Sequence, residues 1–260
     1  MKVSRMRASP RSLLAASPLP SSMTHRPPSM DLRELPDLPV RAVLPELGRA
    51  LAQAGSAVLV APPGAGKTTL APLALLEASW LKDRKILVLE PRRLATRAAA
   101  TRMAELLGEP EAGGTVGYRI RLDTRVSAQT RIEVVTEGIL TRMLQSAPSL
   151  PDVGLVIFDE FHERSLHADL GLALSLQARE LFREDLRLLV MSATLEADPV
   201  ARILGSEASP APAVESRGTM YPVVTHYRAR PVEGWIEPAV AKTVLTALEQ
   251  EGGDVLVFLP

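Results

Sequence analysis

Residues 61–68 read APPGAGKT and follow directly on an apolar run, Ala57–Ala61. A glycine-rich loop between a buried strand and a helix is suited to phosphate: glycines let the backbone curl until its N–H groups face the oxygens, and the helix adds its positive N-terminal end. Gly64 and Gly66 supply the curl, and Lys67 supplies a point charge for the outer phosphates. The Thr68 hydroxyl can ligate magnesium. The full pattern has Gly at both ends of its four-residue spacer. Here the first position is Ala61, so the loop is the relaxed form. The candidate nucleotide-binding residues are Ala61, Pro62, Pro63, Gly64, Ala65, Gly66, Lys67, Thr68 and Thr69. The bland alternative, a turn with an exposed lysine, leaves the preceding strand and following helix unexplained. Lys67 is expected to sit in a ligand loop rather than in the core.

The second cluster lies 92 residues beyond Lys67, where VGLVIF (153–158) runs into Asp159-Glu160-Phe161-His162. Two adjacent carboxylates at the carboxyl end of a buried parallel strand stand where doubly wound sheets place their ligands. Asp159 is the candidate to hold magnesium, through water, and Glu160 to orient an attacking water and take its proton. His162 with two carboxylates and no cysteine is poor zinc chemistry. A lone Asp-Glu pair is often a solvated turn, and the phosphate loop upstream makes that the weaker reading.

Three further strings sit at strand ends. Pro91-Arg92-Arg93 places two guanidiniums at a strand-to-helix turn, suited either to a nucleic-acid backbone or to plain solvation. Thr136-Glu137-Gly138 offers a hydroxyl and a backbone N–H, but Thr136 can equally be a helix N-cap. Ser192-Ala193-Thr194, taken alone, is explained by a capping role.

APPGAGKT followed by DEFH and SAT resembles the DEAH-box/RHA group of superfamily 2 helicases, over roughly residues 36–260. Within that group the chain is most similar to the bacterial HrpB-type helicases, on LEPRRLATRAAA (89–100), VGYRIR (116–121), VTEGILTRML (135–144) and FDEFHERSLHADLGLAL (158–174). Phe161 departs from the group, most of which has Ala there, and this bears on subfamily rather than chemistry. The resemblance implies an ATP-dependent helicase or translocase on single-stranded or structured RNA, with DNA as the alternative. It adds His162 to Asp159 and Glu160 as catalytic residues, with ATP and Mg2+ as cofactors. Arg92, Arg93, Thr136, Glu137 and Gly138 become candidates for contacting the tracked strand, and Ser192 and Thr194 for coupling nucleotide state to domain movement. Such helicases close two RecA-like lobes on the nucleotide, and the second lobe supplies arginine fingers. A second lobe of the same parent protein is therefore an expected partner. A nucleotide-dependent RNA- or protein-binding module without motor activity is the competing function.

Positioning such residues at successive strand ends requires an α/β fold, here a RecA-like, doubly wound parallel sheet. Short apolar runs at Ala57–Ala61, Lys85–Glu90, Arg131–Val135, Val153–Phe158 and Leu186–Met191 are what a sheet covered on both faces needs. Helical stretches at Leu94–Leu107, Gly138–Gln145 and Ala168–Leu181 separate most of them. Val43, Leu47, Ala50 and Leu51 mark one face of an earlier helix that Gly55 closes. The expected ATP-binding domain spans 36–205. Residues 206–252 follow as connecting elements: a loop over 206–217, extended chain at Val223–Arg228 and a helix near 236–251. Residues 253–260 read as the first strand of a truncated second RecA-like domain.

Composition narrows the rest. The net charge is zero, which excludes whole-protein polycation binding but not a local patch, and the bases are 25 Arg against 5 Lys. The chain has no cysteine, which excludes disulfides and suits a reducing, cytoplasmic setting. No apolar run approaches the roughly 20 residues that cross a bilayer, so no membrane partner is expected. Residues 1–35 read as a disordered leader or a misassigned start, with Met23 and Met30 as other starts. The acid-free, Arg- and Ser-rich part, 1–30, also has the look of a transit peptide.

Overall fold

The computed structural model describes residues 35–194, 197–218, 223–228, 232, 234–250 and 252–259, so residues 1–34 of the N-terminal leader lie outside the described residues, while Leu35 is buried in the core. The first helix, α1 (Leu44–Ala54), turns Leu44, Leu47, Ala50 and Leu51 inward. It ends where Gly55, at φ 71°, donates its N–H to Leu51, a left-handed cap that glycine adopts without a Cβ penalty. β1 (Ser56–Val60), the loop and α2 (Lys67–Leu75) follow. Next come β2 (Lys85–Glu90), α3 (Arg93–Leu106), β3 (Val116–Ile120), β4 (Asp123–Arg125) and β5 (Ile132–Thr136). The remainder of this unit is α4 (Glu137–Ser146), β6 (Val153–Phe158), α5 (Leu166–Phe182), β7 (Arg187–Ser192), α6 (Asp198–Leu204) and β8 (Ala213–Glu215).

The eight strands form one sheet in the order β4-β3-β5-β2-β6-β7-β1-β8, parallel throughout except for the antiparallel pair β3–β4. Aliphatic residues fill both faces. Leu47, Leu70, Ile86, Met103, Ile132 and Leu155 belong to the core under α1, α2 and α3. Leu89, Leu140, Val156, Phe158, Leu172 and Val190 belong to the core under α4, α5 and α6. Two-sided burial is why β1, β2, β6 and β7 are apolar at nearly every position. The fold is the expected α/β RecA-like lobe.

Registers bring the carboxyl ends together: Glu90 lies opposite Thr136, Leu89 opposite Phe158, and Val60 opposite Ser192. Each chemistry-bearing string therefore leaves the sheet at the same edge.

Some element boundaries move. β5 and β7 begin and end one residue later than read from the sequence, because Thr136 and Ser192 still pair with Glu90 and Val60. The β3–β4 hairpin carries no apolar signature of its own, since β4 is three residues, Asp123-Thr124-Arg125. Residues 206–217, expected as a loop, contain β8, which pairs with Val58–Val60 of β1 and buries Val214 in the core. A second compact unit, Met220–Pro260, contains α7 (Ile236–Gln250), which buries none of its residues. Residues 252–259 pair with no strand among the described residues, and Val255–Leu259 are exposed. Among the described residues, no helix is long and apolar enough to cross a membrane.

Candidate nucleotide site

The phosphate loop folds back on itself: Ala65 N–H donates to the Pro62 carbonyl at 3.2 Å, with Gly64 at φ 77° and Gly66 at φ 89°. Both dihedrals belong to the left-handed region, where a Cβ is strained. Gly66 has a second reason to be glycine, since a Cβ there would stand 2.7 Å from Leu38 Cδ1. The loop is braced from three sides. Val40 N–H donates to Ala65 O at 3.1 Å, Ala61 N–H donates to Ser192 O at 3.0 Å, and Gly218 approaches Pro62 so closely that a Cβ would lie 2.3 Å from its ring. None of these braces was legible in the loop's own residues.

Lys67 opens α2 and is 3% exposed, so it belongs to the buried interior and not to a free loop as expected. Burial of an ammonium requires a partner. Its Nζ meets Glu160 Oε1 at 2.8 Å. The neighbouring Thr68 hydroxyl donates to Asp159 Oδ2, and Glu160 N–H donates to Asp159 Oδ1 at 2.8 Å. The loop and the acidic strand end are thus joined by two side-chain contacts. Glu160 reaches Lys67 from a left-handed backbone, φ 48° and ψ 34°, a conformation that costs a non-glycine residue about 1–2 kcal/mol. Asp159 is 5% exposed, which rules out the solvated-turn alternative for it.

One residue was missed. Glu90, the last residue of β2, is 3% exposed and ends the strand beside β6, whose next residue is Asp159. Burial pushes its carboxyl up to about 9, the charges of Asp159 and Glu160 add to the rise, and Lys67 opposes it. Burial also raises Asp159, against the Thr68 hydrogen bond and the Lys67 charge. The signal in the sequence was an acid closing the otherwise apolar run ILVLE.

His162 Nδ1 accepts the Ala193 N–H at 3.2 Å. An accepting nitrogen carries no proton, so its 3.4 Å approach to Glu160 is not a charged pair in that state. The imidazole bridges the acidic turn to the SAT turn, where Ser192 Oγ accepts the Thr194 N–H at 3.2 Å. These residues do not cap α6, which starts at Asp198 behind Ala197. Phe161 is buried edge-on against Phe158 (centroids 6.2 Å apart) and under the Arg164 guanidinium, in the core below the turn.

The basic turn is less symmetric than the string suggested. Arg92 is 71% exposed and pairs with Glu163 at 2.8 Å, whereas Arg93 donates to the Arg121 carbonyl at 3.0 Å and so holds the tip of the β3–β4 hairpin. Thr136 stands at the N-cap of α4 but its side chain makes no capping bond. Glu137 accepts from Ser165, the N-cap residue of α5, at 2.7 Å, and Gly138 has open space around it. The Thr136 side chain therefore has no capping role, and Gly138 leaves room beside it among the described residues.

Among the described residues, no group of three or more His, Asp or Glu forms a metal cage. Mg2+ keeps several waters and shares the substrate's phosphates, so it needs only one or two protein oxygens. The Thr68 hydroxyl and the Asp159 carboxylate, in contact, are a donor set of that kind.

Residues 44–203 match the family model described as DEAD/DEAH box helicase. The chain belongs to the DEAD/DEAH box helicase family. It is 52% identical over 223 residues to the ATP-dependent RNA helicase HrpB of Escherichia coli (strain K12), an alignment covering 86% of this chain and 27% of that protein. It is 34% identical to the ATP-dependent RNA helicase HrpA homolog of Haemophilus influenzae, over 85% of this chain and 17% of that one. The crystal structure of E. coli DEAH/RHA helicase HrpB superposes with a TM-score of 0.78 over 86% of this chain and 28% of that chain. The chain thus spans about a sixth to about a quarter of the length of these helicases. The α/β lobe superposes on part of that HrpB structure.

Proposed function

We propose that this lobe binds ATP with Mg2+ and, in a two-lobed cytoplasmic parent protein, couples its hydrolysis to movement along RNA. The observation that carries this reading is the pair of contacts across the site, Lys67 to Glu160 and Thr68 to Asp159. Both bring a phosphate-type cation or hydroxyl against a carboxylate suited to metal or water.

In this reading the backbone from Ala61 to Thr69 cradles the phosphates, and Lys67 exchanges Glu160 for a phosphate oxygen. Glu160, freed from the ammonium, orients a water and accepts its proton. Asp159 and the Thr68 hydroxyl hold the metal, which when bound supplies positive charge to the phosphate oxygens. His162 keeps the acidic turn tied to Ser192-Ala193-Thr194, and Ser192 O is itself bonded to Ala61 N–H. A shift in the phosphate loop therefore has a hydrogen-bonded path to the coupling residues Ser192 and Thr194.

Arg92, with Thr136 and Gly138 beside it, would meet the RNA backbone, and Arg93 would shape the hairpin next to it. The exposed apolar face of α7, with Leu245 and Leu248, and the exposed run Val255–Leu259 suit continuation into a second RecA-like lobe. Residues 253–260 would be its first strand and the segment from 206 the connection. Without arginines from that lobe, the 260-residue chain should turn ATP over slowly, since such residues are worth about 10³–10⁵ in rate in related enzymes.

ATP turnover with and without poly-U RNA, in a chain extended through the second lobe, tests the proposal. RNA should stimulate the wild type, and Glu160→Gln should remove hydrolysis in both conditions. A Glu160→Gln rate near wild type would overturn the assignment of the base.

A further inference from the structure

We infer that Gly218 is a positioning residue for the phosphate loop: its bare backbone seats the segment leaving β8 on the Pro62 ring and so holds the loop in its nucleotide-receiving shape. The inference rests on the reading of residues 61–69 as the nucleotide cradle.

The path starts in the sheet. β8 runs parallel to β1 with Glu215 opposite Val60, and the Ser216 N–H continues the ladder by donating to Val60 O at 2.8 Å. Val214 and Ser216 are buried, so the segment stays fixed to β1 up to the residue where β1 gives way to the phosphate loop. Two residues further on it reaches Pro62. A Cβ on Gly218 would lie 2.3 Å from Pro62 Cγ, 3.3 Å from its Cδ and 3.6 Å from its Cβ. The φ of Gly218 is outside the left-handed region, so its backbone conformation is open to other residues. The approach to Pro62 is what demands glycine there.

Pro62 is a place where such a hold matters. Proline has no N–H, so packing against the ring takes the part that a bond to its nitrogen would play elsewhere. Its carbonyl accepts the Ala65 N–H at 3.2 Å, the bond that closes the turn of the loop. The next residues have supports of their own, Val40 bonded to Ala65 and Leu38 against Gly66. A cradle whose N–H groups must converge on phosphate oxygens loses affinity when one end of it shifts by a fraction of an ångström. Gly218 also stands one residue before Thr219, the end of the first compact unit, so the chain leaves that unit at the support of its phosphate loop.

ADP with Mg2+, titrated calorimetrically into the 260-residue chain, measures the hold, with melting curves taken for each variant. Gly218→Ala adds one methyl without backbone strain and should weaken ADP about tenfold. Pro62→Ala removes Cγ and Cδ and leaves Cβ at the ordinary contact distance of 3.6 Å. It should itself weaken ADP, because the ring is gone, and adding Gly218→Ala to it should change affinity by less than about twofold. A merely structural Gly218 would lower the melting temperature and leave affinity alone. Wild-type affinity in whichever single variant folds would overturn the inference while leaving the nucleotide site intact. So would a full loss on adding Gly218→Ala to Pro62→Ala, since the methyl would then act through something other than the ring. A wild-type chain that does not bind ADP would overturn the reading of the loop and this inference with it.

Discussion

Lys67 and Glu160 hold each other at 2.8 Å, the lysine almost wholly buried and the glutamate a quarter exposed. Removing either partner does different damage. Lys67→Ala leaves Glu90, Asp159 and Glu160 without their cation, so the variant should lose thermal stability as well as nucleotide. The loss should be about 1–3 kcal/mol, below the full penalty for breaking a buried pair because Glu160 meets solvent. Chemical denaturation of wild type and variant without nucleotide checks this, and an unchanged midpoint would return Lys67 to a free loop. At this scale the sequence was informative where chemistry restricts the choice of residue: Gly64, Gly66, Lys67, Thr68, Asp159 and Glu160 all converge. It was silent on Glu90, because an acid at the end of a strand usually marks the exit to solvent. Burial against Asp159 depends on which strands are neighbours, and a linear string does not carry that. The difference between Arg92 and Arg93 was hidden for the same reason, since their partners Glu163 and Arg121 come from other elements.

Among the elements, β2 and β6 were read with their observed ends and β1, β5 and β7 to within a residue, because a strand buried on both faces must be apolar throughout. β3, β4 and β8 were not read as strands. β3 interrupts its apolar residues with Gly and Arg, β4 is Asp-Thr-Arg with no apolar residue, and β8 is three residues inside the loop-like string SEASPAPAVESR. The β3–β4 pairing depends on Gly117, whose Cβ would stand 2.4 Å from the Arg125 carbonyl. Gly117→Ala should therefore open the hairpin, seen as faster amide exchange at Tyr118 and Ile120; exchange at the wild-type rate would show that the strands tolerate the methyl. A second device lies at the amino ends of the interior strands, where Asp185, just before β7, is gripped by Arg183 and by Arg84, just before β2. The Arg183 hydrogen bond leads in holding the Asp185 carboxyl well below its ordinary value of 3.8, with Arg84 adding to it. A depressed acid stabilises the fold above the unfolded-state value and loses that contribution as pH falls through the folded one. Asp185→Asn should thus cost stability at neutral pH and converge on wild type well below pH 4. With Asp185 half exposed, the difference should be at most about 1 kcal/mol. Melting curves from pH 7 to pH 2 check this, and a constant gap would contradict it.

For the molecule as a whole, charge is balanced, so the proposed contact with RNA has to come from local placement. Arg92 is the exposed base of the turn, with Thr136 and Gly138 alongside, so it should account for one phosphate contact. Arg92→Ala should weaken poly-U binding and lower the slope of log affinity against log salt by about 0.7, the value for one contact on a single strand. An unchanged slope would mean that Glu163 keeps Arg92 from the RNA. The central claim, however, concerns the nucleotide site, and binding tests it without the rest of a helicase. A nonhydrolysable ATP analogue with Mg2+ should be titrated calorimetrically into the 260-residue chain and into Lys67→Ala, each first verified as folded by circular dichroism. The account predicts saturable one-site binding by the wild type and none detectable in the variant. Equal affinity in the two would contradict it, because the lysine joined to Glu160 would then have no part in holding phosphate.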